Sequence, residues 1–589
     1  MCFIPLIALA AVLAGVPASA QESPSIRIGS PAPRLAFKDI RYLPRRLDDL
    51  PNKKATVLVF TSIGCPLVER YMPALKRLDT EYRDRGVQFV AVNVGAGDSI
   101  REMAEQAIRF EAEFPFVKDF DAAAARSLGV TRTPEVVVLD EGRVVRYRGR
   151  IDDQYRLGGT QPAATRLDLK DAIDAVLAGR DVAVPETPVD GCLITRPQRT
   201  TSPSAPTYAD HIAPIVRRHC VGCHRPGTAA PFSLTSYSAI ASRADMIAEV
   251  VAEQRMPPWY GSDAHGEFVN RRGLTDDERA AVVEWAQSGK ARGDESKLPP
   301  LELPPEDDKW QIGKPDLVLT ELTTHDLPAE GVVKYQYTVL PHIFQHDTWV
   351  QGVQILPDNP KTVHHCNMAY VVPSEGVKAS NFITGVVPGG EPLTVAEGAA
   401  FRIPAGATLG LQIHFVTTGK PEKCRIAVGI KYARGVVDRE LRHIRLDNTK
   451  FAISAGAAAH PVSDARTLDR NAIGVGMFSH MHVRGKDMTF VAHKPDGTRE
   501  TLLVIPNYSF DWQHAYRWAP GTKRIPKGTK IECIAHYDNS AFNPYNPDPT
   551  ATVREGPQTF HEMMNGFFFY TDADERLGLD IDPTTGRSR

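Results

Sequence analysis

The chain has almost no excess of either charge: 69 Lys and Arg face 71 Asp and Glu, a net −2 over 589 residues. That balance gives no electrostatic footprint for nucleic acid or for an anionic membrane surface. After the first twenty residues no apolar run reaches the ~20 positions a bilayer span requires, so an integral membrane protein is not expected. No internal repeat is present. Cysteine is scarce, eight in all, and the first twenty residues lack even one Lys or Arg.

What that N-terminal stretch does hold is apolar. Phe3 to Val16 is almost wholly hydrophobic, and Ala18-Ser19-Ala20 supplies a small-residue cleavage pattern before Gln21. Residues 1–20 therefore read as a secretory signal peptide that departs from the usual pattern in its uncharged n-region. A short membrane anchor is the other reading. Export to the periplasm or another extracytoplasmic compartment of a bacterium is the expectation.

The length implies three or four domains, and 42% hydrophobic with 24% charged residues suits a folded chain. Thr195 to Pro206 (TRPQRTTSPSAP) is rich in Pro, Ser and Thr, and Pro299 to Asp308 is rich in Pro and acid. Such compositions disfavour regular structure. With linkers at 195–206 and 297–308, the chain divides into 21–194, 207–296 and 309–575, then a polar tail, 576–589. The first segment alternates strand-like runs (Thr56 to Thr61, Val87 to Val94) with helical spacing over Val68 to Arg85 and Ala122 to Leu128. Glu135 to Leu139 and Arg143 to Tyr147 flank a Glu-Gly turn, as a hairpin would. The middle segment reads as helical, and the last as short β-runs between Gly/Pro turns, which suggests sandwiches.

Cys220-Val221-Gly222-Cys223-His224 is the attachment pattern of a c-type haem, with Cys220 and Cys223 for the vinyl groups and His224 for the iron. Chance produces this pentapeptide in roughly three of a thousand such chains. Zinc would want two more ligands nearby, and none is obvious. Met256, in Arg255-Met256-Pro257-Pro258-Trp259, is the candidate second axial ligand, with His219 and His211 as others. Its place between a helix over Ser238 to Glu253 and a last one over Thr275 to Gly289 resembles the small class I cytochrome c domain over about ninety residues. Two cysteines committed to one covalent haem c leave five after the leader, an odd number with at least one unpaired or intermolecular thiol.

Residues 27–180 resemble the redoxin branch of the thioredoxin superfamily. The matching residues are Phe60-Thr61-Ser62-Ile63-Gly64-Cys65-Pro66 at a strand end, then a helix, then Thr133-Pro134, where these folds place a cis-proline. A cysteine at a helix N-terminus has a lowered pKa. The second cysteine of C-x-x-C is here Val68, and the peroxidase pattern keeps Ser62 but has Leu58 for its proline. Cys65 acts alone or pairs with Cys192, unless the fold is retained only for docking.

The last segment concentrates histidines: His364-His365, His414 in a β-run, His480 and His482 as H-x-H, then Glu562-Met563. Residues two apart on a strand share a face, and imidazoles with a thioether suit copper. The ordered set, with Cys533-x-x-x-Tyr537-Asp538-Asn539-Ser540, resembles the copper type II, ascorbate-dependent monooxygenases that hydroxylate peptidylglycine or dopamine, over roughly 330–572. The resemblance implies two jelly-roll-like sandwiches and two mononuclear copper sites. His364, His365 and His414 would hold the electron-storing copper; His480, His482 and Met563 would hold the copper that binds O2. Phe478 stands where the peptide-hydroxylating branch has its substrate arginine, and Phe567 where it has a tyrosine, though Asn565 is kept. Met564 replaces the usual partner of Cys533, which leaves Cys366 and Cys424 as another possible pair.

The expected fold class is multidomain: α/β thioredoxin-like, then all-α cytochrome c, then all-β tandem jelly-roll-like sandwiches. The expected function is an exported copper monooxygenase that hydroxylates a C–H bond of a small organic or peptide substrate with O2. An external donor would feed it through the fused haem. The alternatives are an electron-transfer or copper-handling protein, or a thiol peroxidase or oxidoreductase acting through Cys65.

Overall fold

A computed structural model describes residues 26–50, 53–156, 159–161, 163–194, 205–228, 230–303, 309–374, 381–387 and 390–589. The expected leader at 1–20, residues 195–204 of the first linker and residues 304–308 of the second lie outside these residues. The N-terminal part is a thioredoxin-like α/β unit. Its sheet runs, in spatial order, 44–46, 36–39, 116–118, 87–93, 55–61, 135–140 and 145–149. Ala55–Thr61 pairs in parallel with Val87–Asn93 and antiparallel with Glu135–Asp140. It is buried at every position, as a strand covered on both faces must be. Val57 and Val59 point into one core, Leu58 and Phe60 into the other, following the two-residue period.

The helix expected over 68–85 spans Pro66–Tyr82, with Pro66 at its first turn, and a further tight turn ends at Gly86, whose φ of 91° suits glycine. The expected hairpin forms from Glu135–Asp140 and Val145–Gly149. Beyond the last long helix of this unit, Asp168–Leu177, Cys192–Leu193 returns to pair antiparallel with Arg132–Thr133.

In the middle segment the described residues form helices at Ala213–His219, Tyr237–Ala241, Ala244–Ala252 and Asp276–Gln287 around Trp285. The single helix expected over 238–253 is thus broken. Ser242 Oγ turns back onto the Ala239 carbonyl (3.2 Å), and Arg243 takes a non-helical conformation. A capping box of Thr275 and Glu278 starts the last helix.

The C-terminal part is a large all-β region. One four-stranded sheet (336–339, 408–415, 363–371, 382–386) and another (460–467, 530–537, 485–493, 499–505) pack on opposite halves of a long sheet. Ala399–Ile403 and Arg439–Asp447 join those halves by a short parallel pairing. Residues 576–589, expected as a polar tail, include Leu579–Ile581, which pairs with Gly435–Val437 and buries Ile581. The three parts pack together: Lys38 pairs with Glu249 and Glu253, Arg101 with Asp263, and Arg41 with Asp538. Among the described residues no helix is long and apolar enough to cross a membrane.

Candidate redox sites

The strand Ala55–Thr61 delivers the chain to a turn over 62–64, which the Asp98 carboxylate fixes by accepting the Ile63 N–H at 2.8 Å. Cys65 then caps the helix Pro66–Tyr82, so its sulfur lies beside first-turn N–H groups. The Cys65 thiol donates to the Thr133 carbonyl at 3.1 Å, and the Thr133–Pro134 peptide is cis, as expected. Burial pushes the Cys65 thiol up. Hydrogen bonds from the Cys192 thiol, the Thr133 side chain and the Val68 N–H outweigh it and hold the thiol below its ordinary 9.0. Cys192 is pushed up to about 11 by burial and by the Cys65 sulfur against it.

Cys220 follows the helix Ala213–His219, and the His224 N–H bonds the Cys220 carbonyl at 2.8 Å. One turn therefore carries both thiols and the imidazole. His224 Nδ1 lies 3.1 Å from the Phe232 carbonyl, which leaves Nε2 for a metal. Both thiols are unbonded and Cys223 is exposed, so this donor set fits a covalently attached haem. Met256 is half-buried on the loop after Ala244–Ala252, its N–H on the Val250 carbonyl at 3.1 Å. His219 Nε2 is engaged by Glu278 at 3.2 Å.

His365 and His414 face each other across adjacent strands. His364 ought to point to the opposite face, but the register shifts between Val363 and His365, and this bulge turns it toward the same point. One ligand atom from each of the three lies within 4.8 Å of the others. His414 Nδ1 is buried with no hydrogen-bond partner, an orphan that a metal ion would satisfy. His480 ends the strand Ala472–His480, and its ring is 5.2 Å from that of His482. Their Nδ1 atoms bond Gln513 Oε1 (2.7 Å) and the His561 carbonyl (3.2 Å), which frees both Nε2 atoms.

Met563 Sδ receives the Asn565 amide at 3.6 Å, and Asn565 pairs with His480 across the strands, so the thioether sits at the same end of the sheet. The two expected histidine sets adjoin, with the His365 and His480 rings 5.9 Å apart. Burial, then neighbouring imidazoles, push His365 well below its ordinary value and His414 to about 4. Burial likewise holds His480 at about 4 and His482 at about 3, which keeps both imidazoles neutral at neutral pH, with Nε2 unprotonated.

Several neighbours had no place in the sequence reading. Tyr335 stacks 4.8 Å from His414, Phe510 lies 4.7 Å from His364, and Asp511 accepts from His364 Nε2 at 3.1 Å. The aromatic-dense run Tyr508 to His514, which fits neither helical nor strand period, was the available signal. Phe478 and Phe567 face each other across strands, and Phe382 packs 4.7 Å from Phe567, so an aromatic wall stands beside Asn565. Cys366 and Cys424 are buried, separate thiols.

A family model described as Redoxin matches residues 28–163. A thiol-disulfide oxidoreductase ResA of Geobacillus thermodenitrificans is 31% identical over 126 residues, 21% of this chain and 70% of that protein. A namesake from Halalkalibacterium halodurans is 27% identical over 131 residues, 22% of this chain and 72% of that one. An uncharacterised conserved protein of known structure from Geobacillus kaustophilus is 29% identical, covering 30% of this chain and 94% of its own, with a TM-score of 0.28.

Proposed function

Because the chain belongs to the redoxin family through residues 28–163, we propose that it is a thiol–disulfide oxidoreductase whose reactive thiol is Cys65. One observation carries this: the Cys65 sulfur sits at a helix N-terminus among donors that stabilise its thiolate. The full-length protein equilibrated in graded glutathione redox buffers, acid-quenched and alkylated, should show Cys65 passing from thiol to disulfide in a single transition. A Cys65 thiol that stays reduced at every ratio would sink the reading.

The histidine cluster favours a second reading for the β-region, an exported copper monooxygenase fed by the haem segment. Its support is the orphaned His414 Nδ1 within a three-imidazole set. Copper held by these residues supplies one-electron cycling and, at the second set, O2 chemistry. His364, His365 and His414 hold one position; His480, His482 and Met563 hold the other, with Gln513 and the His561 carbonyl orienting the imidazoles. Phe382, Phe478 and Phe567 offer an apolar wall, which suits an apolar organic substrate better than a peptide carboxylate. Cys220, Cys223, His224 and Met256 would hold the haem that takes electrons from an external donor.

Oxygen uptake coupled to hydroxylated product should vanish in Met563→Ala while the His364/His365/His414 set still binds copper by electron paramagnetic resonance. Copper binding with no oxygen uptake in the wild type would instead favour a copper-handling protein.

A further inference from the structure

We propose that Cys65 and Cys192 form the redox couple of the thioredoxin-like unit, with Cys192 as the sulfur through which substrate thiols enter. This rests on the reading of Cys65 as redox-active. A C-x-x-C pair keeps both sulfurs on one helical turn, but here the second position is Val68, which is fully buried. The missing thiol comes instead from 127 positions downstream. Cys192 lies opposite Thr133 in the short antiparallel pairing, and the Thr133 carbonyl is the group that receives the Cys65 thiol. Each sulfur lies close enough to shift the ionisation of the other.

The segment that brings Cys192 there is built onto the sheet. A Cβ on Gly191 would lie 2.5 Å from the Thr133 carbonyl oxygen, so only glycine permits this approach. Arg132 Nη1 donates to the Gly191 carbonyl (2.7 Å), and the Ile194 N–H to the Thr131 carbonyl (3.0 Å). Further back, the Arg148 N–H bonds the Pro185 carbonyl at 3.0 Å.

Exposure sets the roles. Cys65 is 1% exposed, whereas Cys192 is half-buried and reachable. An incoming thiolate therefore meets Cys192 Sγ first. Its sulfur bonds to Cys192 as the Cys65–Cys192 bond breaks, and the electron pair departs on Cys65, where the Thr133 side chain and the Val68 N–H remain to receive the thiolate. A second substrate thiolate then attacks the substrate sulfur of the mixed disulfide, and Cys192 leaves and takes a proton. One dithiol becomes a disulfide, and the protein disulfide becomes two thiols. Two electrons pass to the protein, with no further reactant.

The test oxidises the full-length protein with diamide, maps its disulfides by non-reducing peptide mass spectrometry, and then adds glutathione as the entering monothiol. A Cys65–Cys192 linkage is expected, followed by glutathione on the Cys192 peptide with Cys65 free. In Cys192→Ala the linkage is absent and Cys65 itself carries the glutathione. Glutathione on Cys65 of the wild type would overturn the entry role. A wild-type Cys65 that diamide oxidises without joining it to Cys192 would overturn the couple yet leave the reading of Cys65 standing. A Cys65 that never oxidises would remove both.

Discussion

His536 shows how one contact sets a pH dependence away from the redox sites. Its Nδ1 lies 2.6 Å from Asp487 Oδ1, with Asp487 almost wholly buried. Burial alone would lower the imidazole's pKa, but the hydrogen bond and charge of Asp487 overcome it and raise the value above 6.5. A raised folded-state value means that the folded protein holds this proton more tightly than the unfolded chain. The stabilisation is complete below about 6.5 and fades as pH rises through the folded-state value. Asp487→Asn should therefore lose that slope: urea unfolding free energies of variant and wild type, compared from pH 5 to 9, should differ most at the acid end. A difference that grows toward alkaline pH would contradict this assignment.

At the scale of elements, much of the fold was readable. The buried run Ala55–Thr61, the hairpin at 135–149 and the capping box before Asp276–Gln287 each carry their period or punctuation in the sequence. The break at Ser242 was not readable, because a serine in a helical pattern signals nothing until its hydroxyl turns back on a carbonyl. The candidate sites divide in the same way. The rings of His480 and His482 adjoin although the strand ends at His480, so a strand period does not place His482; the convergence of His364 with His365 depends on a bulge, and a strict two-residue period places them on opposite faces. Phe510 and Gln513 reach the histidines from a loop whose path no local pattern encodes. Cys192 was visible as a cysteine; its register opposite Thr133 is a long-range pairing that only the folded sheet specifies.

For the whole molecule, the loop after Ala244–Ala252 is the joint. Arg101 of the thioredoxin-like unit donates to the Trp259 carbonyl at 3.3 Å, and Glu105 accepts from Ser262 Oγ at 2.7 Å. On its other side the Ser262 N–H bonds the Val504 carbonyl (2.8 Å), and Asn270 bonds Ala515 and Arg517 of the β-region. Trp259 fills the centre, 4% exposed, with its ring 5.0 Å from Tyr516 and stacked at 6.4 Å on His514. Three positions before it stands the candidate haem ligand Met256, and His514 follows Gln513, which orients His480. The residues that join the three parts thus also lie between the candidate redox sites. Truncation of a buried tryptophan costs about 3–5 kcal/mol through the cavity it leaves. Trp259→Ala should therefore uncouple the parts as well as weaken them. Calorimetry of the wild type should show transitions of the thioredoxin-like unit and the β-region overlapping, and the variant should separate them, with amide exchange rising along Ile100–Arg109 and Ala515–Arg517. A uniform downward shift with no separation would mean that Trp259 contributes packing to one part alone.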